Sequence, residues 1–337
     1  MNKLRLAAPL AALLLVVGCS KTADSQDQDA AATPSAAVST DIKQVAITAI
    51  VEHPALDAVR VGVEDELKDA GFIQGQNVKI VFQSAQGNTA TAGQIAKKFI
   101  GDKSAAIVAI GTPSAQAVAA STRDIPLVFA AVTDPVAAKL TPSWAASGTN
   151  VTGVSDALPL EPQIELIKAL VPGVKNIGFV YSPGEVNSTI IFEQLKTTLA
   201  KDGIGAIGAP AQRTADVATA ARSLLGKVEV IYSTTDNNVV SAYEALYKVG
   251  AENKLPLIAS DPDSAKRGAV AALGANYYDM GRQTGKIVVR ILNGEAPGSI
   301  APEKMATFDL ILNQKSAALM GVTIPEAILK TAKEVIE

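Results

Sequence analysis

From Gln44 onward the chain alternates short, β-branched apolar runs with amphipathic stretches, and it runs through that alternation twice. "QVAITAIV" (44–51) predicts a strand, and "ALDAVRVGVEDELKDAG" (55–71) a helix closed by Gly71. A strand "NVKIVFQSA" (77–85) and a helix "TAGQIAKKFIG" (91–101) follow. Next come the buried strands "AAIVAIG" and "IPLVFAAV", with "SAQAVAAST" as the helix between them. Strands separated by helical segments of this length need right-handed crossovers, which lay them down as a parallel sheet covered on both faces.

The cycle then restarts. "EPQIELIKALVPG" reads as a helix with a Pro-Gly stop, "VKNIGFVYS" (174–182) as a strand, and "STIIFEQLKTTLAKDG" (188–203) as a helix. "IGAIGA", "VEVIYST" (228–234) and "LPLIAS" are further strands, separated by the helices "DVATAARSLLG" and "NVVSAYEALYKVGAENK". The expected fold class is therefore α/β, two Rossmann-like lobes with parallel sheets. The two halves also share a cadence. "AAIVAIGTPSAQAV…IPLVFAAVTDP" and "VEVIYSTTDNNVV…LPLIASDPD" both run strand, polar turn, helix, strand, Asp-Pro, which marks them as equivalent positions of two like lobes.

More elements remain than the second lobe needs. "GAVAALG" (268–274) leads into a helix "YYDMGRQTGKIVVRILNG" (277–294), then a strand "MATFDLILN" and an end helix "PEAILKTAKEVIE". The chain is expected to return to the first lobe and cross again, near 150–159, 273–275 and 302–307. Crossings side by side make a multi-strand hinge. The expected division is 44–153 plus 275–303 for the N-terminal lobe and 154–274 plus 304–337 for the C-terminal lobe.

The first nineteen residues are a separate object. "MNKLRLAAPLAALLLVVGC" places Lys3 and Arg5 before an apolar run from Leu6 to Val17, the pattern of a secretory signal and too short for a permanent span. It ends in "VVGC", which resembles a bacterial lipobox. Residues 1–19 are expected to be a lipoprotein signal peptide with Cys19, the single cysteine, as the lipidated residue. Residues 20–43 hold almost no large apolar side chain and read as a flexible tether. The expected address is extracytoplasmic, on a membrane through a lipid anchor.

Several chemistries drop out early. A net charge of −3 gives no reason to expect nucleic acid as a partner. One histidine, His53, leaves no two-His metal site. "GRQTGKI" has the wrong glycine spacing for a phosphate-binding loop, and "VEHPALD" stands where a dinucleotide fingerprint would follow the first strand. No G-x-S-x-G elbow is present. The expectation is a protein without enzymatic activity, cofactor or metal.

What remains is a set of polar turns at strand C-termini, the edge where open α/β sheets take ligands and helix N-termini present free N–H groups. These are "EHP" (52–54), "GTPSAQ" (111–116), "TDP" (133–135), "SPGEVNS" (182–188) and "TTDNN" (234–238), with "SDPD" (260–263) beside the last. Each alone could be a helix cap; together they would aim into one cleft. Thr112, Ser114, Asn187 and Ser188 can donate to a carboxylate, while Asp134, Asp236 and Asp261 can accept from an ammonium. That combination suits a zwitterion better than a sugar, since sugar sites usually stack aromatic rings and only 4% of this chain is aromatic. Asp134 and Asp236 follow strands of different lobes. One of them, Asp134 with the larger effect, is expected to grip the ammonium while the other lobe's hydroxyls and amides take the carboxylate, bridging the cleft.

At these residues the chain resembles a known family. "VEHPALDAVRVGVEDEL", "AIGTPSAQAV", "IPLVFAAVTDPVAAKL", "GTNVTGVSD", "VKNIGFVYSPGEVNS", "IYSTTDNNVVSA" and "VAALGANYYDMGRQTG" are similar to the ABC-transporter substrate-binding proteins that include the tryptophan and aromatic amino-acid binding lipoproteins. The resemblance covers roughly 44–312. It implies a type I periplasmic-binding-protein fold and delivery of ligand to an ABC permease and ATPase. It also implies ligand contacts at Glu52, His53, Pro54, Thr112, Pro113, Ser114, Gln116, Thr133, Asp134, Asn187, Ser188, Thr235, Asp236 and Asn237. Ser114 stands where many relatives carry Ala. An aromatic L-amino acid is the favoured ligand; a branched-chain amino acid, a sugar, or a sensing rather than a transport role are the alternatives.

Overall fold

The structure, a computed structural model, describes residues 42–337; the signal segment, Cys19 and nearly all of the tether lie outside the described residues. The first lobe is built on β1 (Lys43–Ala49), β2 (Val78–Ser84), β3 (Ala106–Ile110), β4 (Leu127–Ala130) and β5 (Val151–Ser155). Three helices connect the first four of these strands: α1 (Pro54–Asp69), α2 (Thr89–Gly101) and α3 (Thr112–Ser121). The chain then enters the second lobe through α4 (Leu160–Leu170), β6 (Asn176–Tyr181), α5 (Val186–Lys201), β7 (Gly205–Pro210) and α6 (Val217–Arg222). It continues with β8 (Val230–Ser233), α7 (Asn237–Ser241), α8 (Tyr243–Asn253), β9 (Leu257–Ala259), α9 (Asp263–Lys266) and β10 (Ala271–Ala275). It returns to the first lobe for α10 (Tyr277–Leu292) and β11 (Glu303–Lys304). It ends in the second with β12 (Phe308–Asn313), α11 (Gln314–Met320), α12 (Glu326–Leu329) and β13 (Glu334–Ile336).

The first sheet has the order β11-β5-β4-β3-β1-β2 and is parallel throughout. The second, β13-β12-β10-β9-β8-β6-β7, is parallel except where β12 runs against β10. Its central strands are buried on both faces, and so are those of the first sheet. Ala106–Ile110 and Leu127–Ala130 expose nothing, which is why they read as unbroken apolar runs rather than alternating ones. One apolar cluster fills the first lobe and two lie on the second lobe's sheet.

The chain changes sheets beyond Ser155, between Ala275 and Tyr277, and beyond Lys304. Two sequence-drawn boundaries, after 153 and after 303, therefore fall slightly early, because ladder pairing holds β5 and β11 to their last residues. Glu303 pairs with Val154 and Lys304 with Ser155.

α10 seats the returning segment against α1 through glycines. A methyl group at Gly62 or Gly281 would overlap backbone atoms of the facing helix, so the two helices touch nearly backbone to backbone. Two expected helices are shorter than their sequence patterns. "NVVSAYEALYKVGAENK" is broken at Ala242 into α7 and α8. "PEAILKTAKEVIE" gives one turn and then a strand, because β-branched Val335 and Ile336 join β12 in a parallel ladder. Among the described residues no helix is long and apolar enough to cross a membrane.

Candidate ligand-binding site between the lobes

The C-terminal ends of both sheets face each other, and the turns that follow them meet. The Thr133 hydroxyl after β4 lies 3.2 Å from the Thr235 hydroxyl after β8, a hydrogen bond from one lobe to the other. Gly111, at φ +86, starts α3, and a Cβ there would stand 2.9 Å from Ile50 Cγ2 of its own lobe and 3.5 Å, ordinary contact, from the Asn237 side-chain oxygen of the second. Only a residue at ease with positive φ and lacking a side chain fits.

Two small cavities lie in this seam and share Asp156 and Thr235 in their walls. The first, about 20 Å³, is largely apolar along its sides, with Leu158, Leu160, Ile191 and the Tyr232 ring. The second, about 10 Å³, is polar, with His53, Asn237, Asp261 and Tyr277. Each holds roughly a water molecule, against the ~300–1,000 Å³ of clefts that enclose small ligands. The lobes are shut, and a ligand would enter by parting them. A much larger concavity, about 500 Å³ between α1 and the edge strand β2, includes none of the turn residues.

His53 illustrates how local sequence sets the chemistry. Its Nδ1 accepts the Leu56 N–H at 3.5 Å and so caps α1, with Pro54 in the first turn where no N–H is needed. A ring that accepts at Nδ1 carries its proton on Nε2, a donor available to the polar cavity. Burial, and then the positive Arg267, push its pKa down to about 3, so it stays neutral. Glu52 is exposed and accepts from Gln86 at 2.7 Å.

At the start of α3, Thr112 and Ser114 are buried and neither hydroxyl has a hydrogen-bond partner. No side chain caps this helix, whose second residue is Pro113. Gln116, in contrast, is tied to the Ala138 carbonyl of its own lobe at 3.1 Å. In the second lobe Asn187 donates to Glu185 at 3.0 Å and to the Thr235 carbonyl at 3.1 Å, leaving its own oxygen unpartnered. Asn237 donates to Glu185 from its side chain at 2.7 Å.

The two aspartates expected to offer a grip for the ammonium each take hydrogen bonds from their own lobe. Asp134 accepts the N–H groups of Val136 and Ala137, both at 3.0 Å, as the cap of its own turn. Asp236 is fully buried and takes the Ser182 N–H at 2.6 Å, the Ser182 hydroxyl at 2.9 Å and the Val239 N–H at 3.0 Å. It also accepts from Ser188, so both of that serine's and that aspartate's polar groups are spent inside the lobe. Asp261 is likewise occupied by Ser264 and the Asp263 N–H. Asp236, with two bonds on each oxygen, has no lone pair left for an ammonium; Asp134 keeps its Oδ2 free, and Asp261 accepts one bond on each oxygen.

Asp156, which the sequence reading placed only within a crossing, is a buried carboxylate with one oxygen free. It follows β5, is 4% exposed, takes a bond from the Tyr277 hydroxyl at 3.3 Å on one oxygen, and has no partner on the other. Burial pushes its pKa up to about 6. Its signal was present in the sequence: "VTGVSD" ends a buried strand in an acid just as "FAAVTD" does. Glu185 was also passed over. Burial first, and then the charge of Asp236, raise it to about 7 against the pull of Asn187 and Asn237.

Two α/β lobes crossed several times by one chain, with a polar seam between their strand ends, define a bilobal solute-binding protein of the type I periplasmic-binding fold. Residues 44–336 match the family described as ABC transporter substrate binding protein, and the chain belongs to that family, whose members work outside the cytoplasm. It is 40% identical over 272 residues to a tyrosine-binding protein of Clostridioides difficile, covering 81% of this chain and 79% of the relative. A Streptococcus pneumonia ABC domain in complex with L-Trp is 34% identical, with a TM-score of 0.84 over 88% of this chain and all of the other. A ligand-free, open substrate-binding protein with adhesive properties from Clostridium difficile is 39% identical over 88% of this chain and 99% of the other. Its TM-score is only 0.66.

Proposed function

We propose that this protein is the lipid-anchored binding component of an ABC importer and that it captures an aromatic L-amino acid between its lobes. The observation that carries this reading is Asp156, a buried carboxylate with one unpartnered oxygen in the wall shared by an apolar and a polar cavity. In this arrangement Asp156 takes the ligand ammonium, and the apolar cavity takes its side chain. The ligand carboxylate is received by His53 Nε2–H, the Thr112 and Ser114 hydroxyls and the free amides that open α3. The tyrosine and tryptophan bound by the two relatives support an aromatic side chain.

Residues 44–155 with 276–304 form one lobe and 156–275 with 305–337 the other. A ligand that touches both favours the closed state by the difference between its affinities for the two states. Cys19 carries the lipid, the ligand passes to a permease driven by an ATPase, and no chemistry is done on it. Calorimetric titration with L-tyrosine, L-tryptophan, L-leucine and glucose tests the reading. Binding of the aromatic amino acids is expected, and binding of glucose alone would overturn it. Cys19→Ala is expected to leave the protein unlipidated and released from membranes; unchanged membrane partitioning would refute the anchor.

A further inference from the structure

The apolar cavity is not apolar at every wall. Ser260, just past β9, contributes a side-chain oxygen that is buried, with the residue 3% exposed, and that has no hydrogen-bond partner. Beside it, in the same wall, stands the Tyr232 hydroxyl, within reach of Ser260. The Tyr232 ring cannot drift, because Phe179 packs edge-on against it at a centroid distance of 6.0 Å and 88°. Its hydroxyl is therefore held at one place. Leu158, Leu160 and Ile191 supply the apolar sides, Thr133, Thr234 and Thr235 the rest, and the only charged group in the wall is Asp156, shared with the polar cavity.

A buried hydroxyl without a partner has given up its bonds to water and received none in return, an arrangement native proteins seldom leave unresolved. Such a hydroxyl on Ser260, with the Tyr232 hydroxyl beside it and Leu158, Leu160 and Ile191 along the sides, matches a ligand side chain that is flat, apolar along its faces and polar at one point. Leucine and phenylalanine would fill the slot and leave Ser260 unsatisfied. A lysine or glutamate side chain would bury a charge with no counter-ion at that end.

We propose that Ser260 and Tyr232 form a side-chain specificity subsite that hydrogen-bonds the phenol hydroxyl of L-tyrosine and so discriminates against L-phenylalanine. This rests on the reading of the seam as an aromatic amino-acid site. Each of the two hydroxyls can donate and accept, so the phenol can give its proton to one and receive from the other. Phenylalanine offers neither, and a site arranged for a hydroxyl disfavours the analogue that lacks it.

The test is titration calorimetry of L-tyrosine and L-phenylalanine on the purified full chain and on Ser260→Ala and Tyr232→Phe. Wild type is expected to bind tyrosine at least about tenfold more tightly than phenylalanine, in line with the loss of a buried hydrogen bond. Ser260→Ala is expected to weaken tyrosine binding while leaving phenylalanine within about twofold, so that the ratio falls toward one. Tyr232→Phe should reduce the same ratio by a separate route and keeps the test open if the other variant folds poorly. Equal affinity for the two ligands in wild type overturns the subsite and leaves the aromatic-ligand reading standing, as does an equal loss for both ligands in Ser260→Ala. Failure of every amino acid to bind overturns both.

Discussion

Replacing Asp156 by Asn should make the empty protein more stable and a worse binder. The carboxyl ordinarily titrates near 3.8 and burial raises it to about 6. Below about pH 3.8 it is protonated in folded and unfolded chains alike, so the raised pKa imposes no penalty on the fold. Between those values the unfolded chain ionises while the folded one resists, and above about pH 6 the full difference is felt. At ~1.4 kcal/mol per pH unit that is about 3 kcal/mol of stability lost as pH rises from 4 to 7. Asp156→Asn keeps an oxygen for the Tyr277 hydroxyl and removes the titration. Its melting temperature should therefore exceed that of wild type by roughly 5–10 °C at pH 7.5, and the gap should close near pH 4.

Binding should move the other way. A charge-assisted hydrogen bond to the ligand ammonium is worth about 1.5–3 kcal/mol, so Asp156→Asn should weaken affinity by roughly 10- to 150-fold. Wild-type affinity should fall as pH drops below about 6, when Asp156 protonates, and that fall should be absent in the variant. Differential scanning calorimetry of the ligand-free proteins and isothermal titration across the same pH range measure both. Unchanged affinity in Asp156→Asn would show that another group holds the ammonium. A melting-temperature gap independent of pH would show that the carboxyl is not strained by its burial.

Asp236→Ala strips partners from the Ser182 and Val239 amides at once and should destabilise the fold by at least about 3 kcal/mol, read by urea denaturation. Asp134→Asn retains an oxygen for the amides of Val136 and Ala137 and should bind ligand within about twofold of wild type by calorimetry. Thr235→Ala removes a hydrogen bond between the lobes; a net loss of about 0.5–1.5 kcal/mol should shift the ligand-free protein toward a larger radius of gyration in small-angle scattering. Gly281→Ala drives a methyl into the backbone of α1 and should lower stability by about 1–3 kcal/mol, seen as a reduced melting temperature.

The sheets were legible because their strands are short, apolar and separated by stop signals such as Gly71, Gly203 and Pro172-Gly173. The crossings were legible because elements were left over once the second lobe was filled. The ends of elements were less so. "KTAKEVIE" carries a helical spacing, and only the vacant edge of β12 turns its last residues into a strand. In the seam the polar turns were found, but the roles within them were not. Asp134, Asp236 and Asp261 end strands in the same cadence as Asp156. What separates them is which backbone amides happen to lie within reach, a fact of three dimensions that residue type does not encode.

The glycine-lined contact between α1 and α10 also orders events in time. A ribosome releases the chain from its N-terminus, and about 220 residues separate the end of α1 from the end of α10. At ~5–20 residues per second, the face of α1 that holds Gly62 waits on the order of 10–45 s for its cover. Through that interval the second lobe's β6 to β10 have already been made, yet the first lobe cannot close, since its sixth strand, β11, comes later still. Neither lobe is a segment that can be cut out and expressed, and a chain that stops before Tyr277 leaves the first lobe without its returning helix. The fold completes only when nearly all of it has been made.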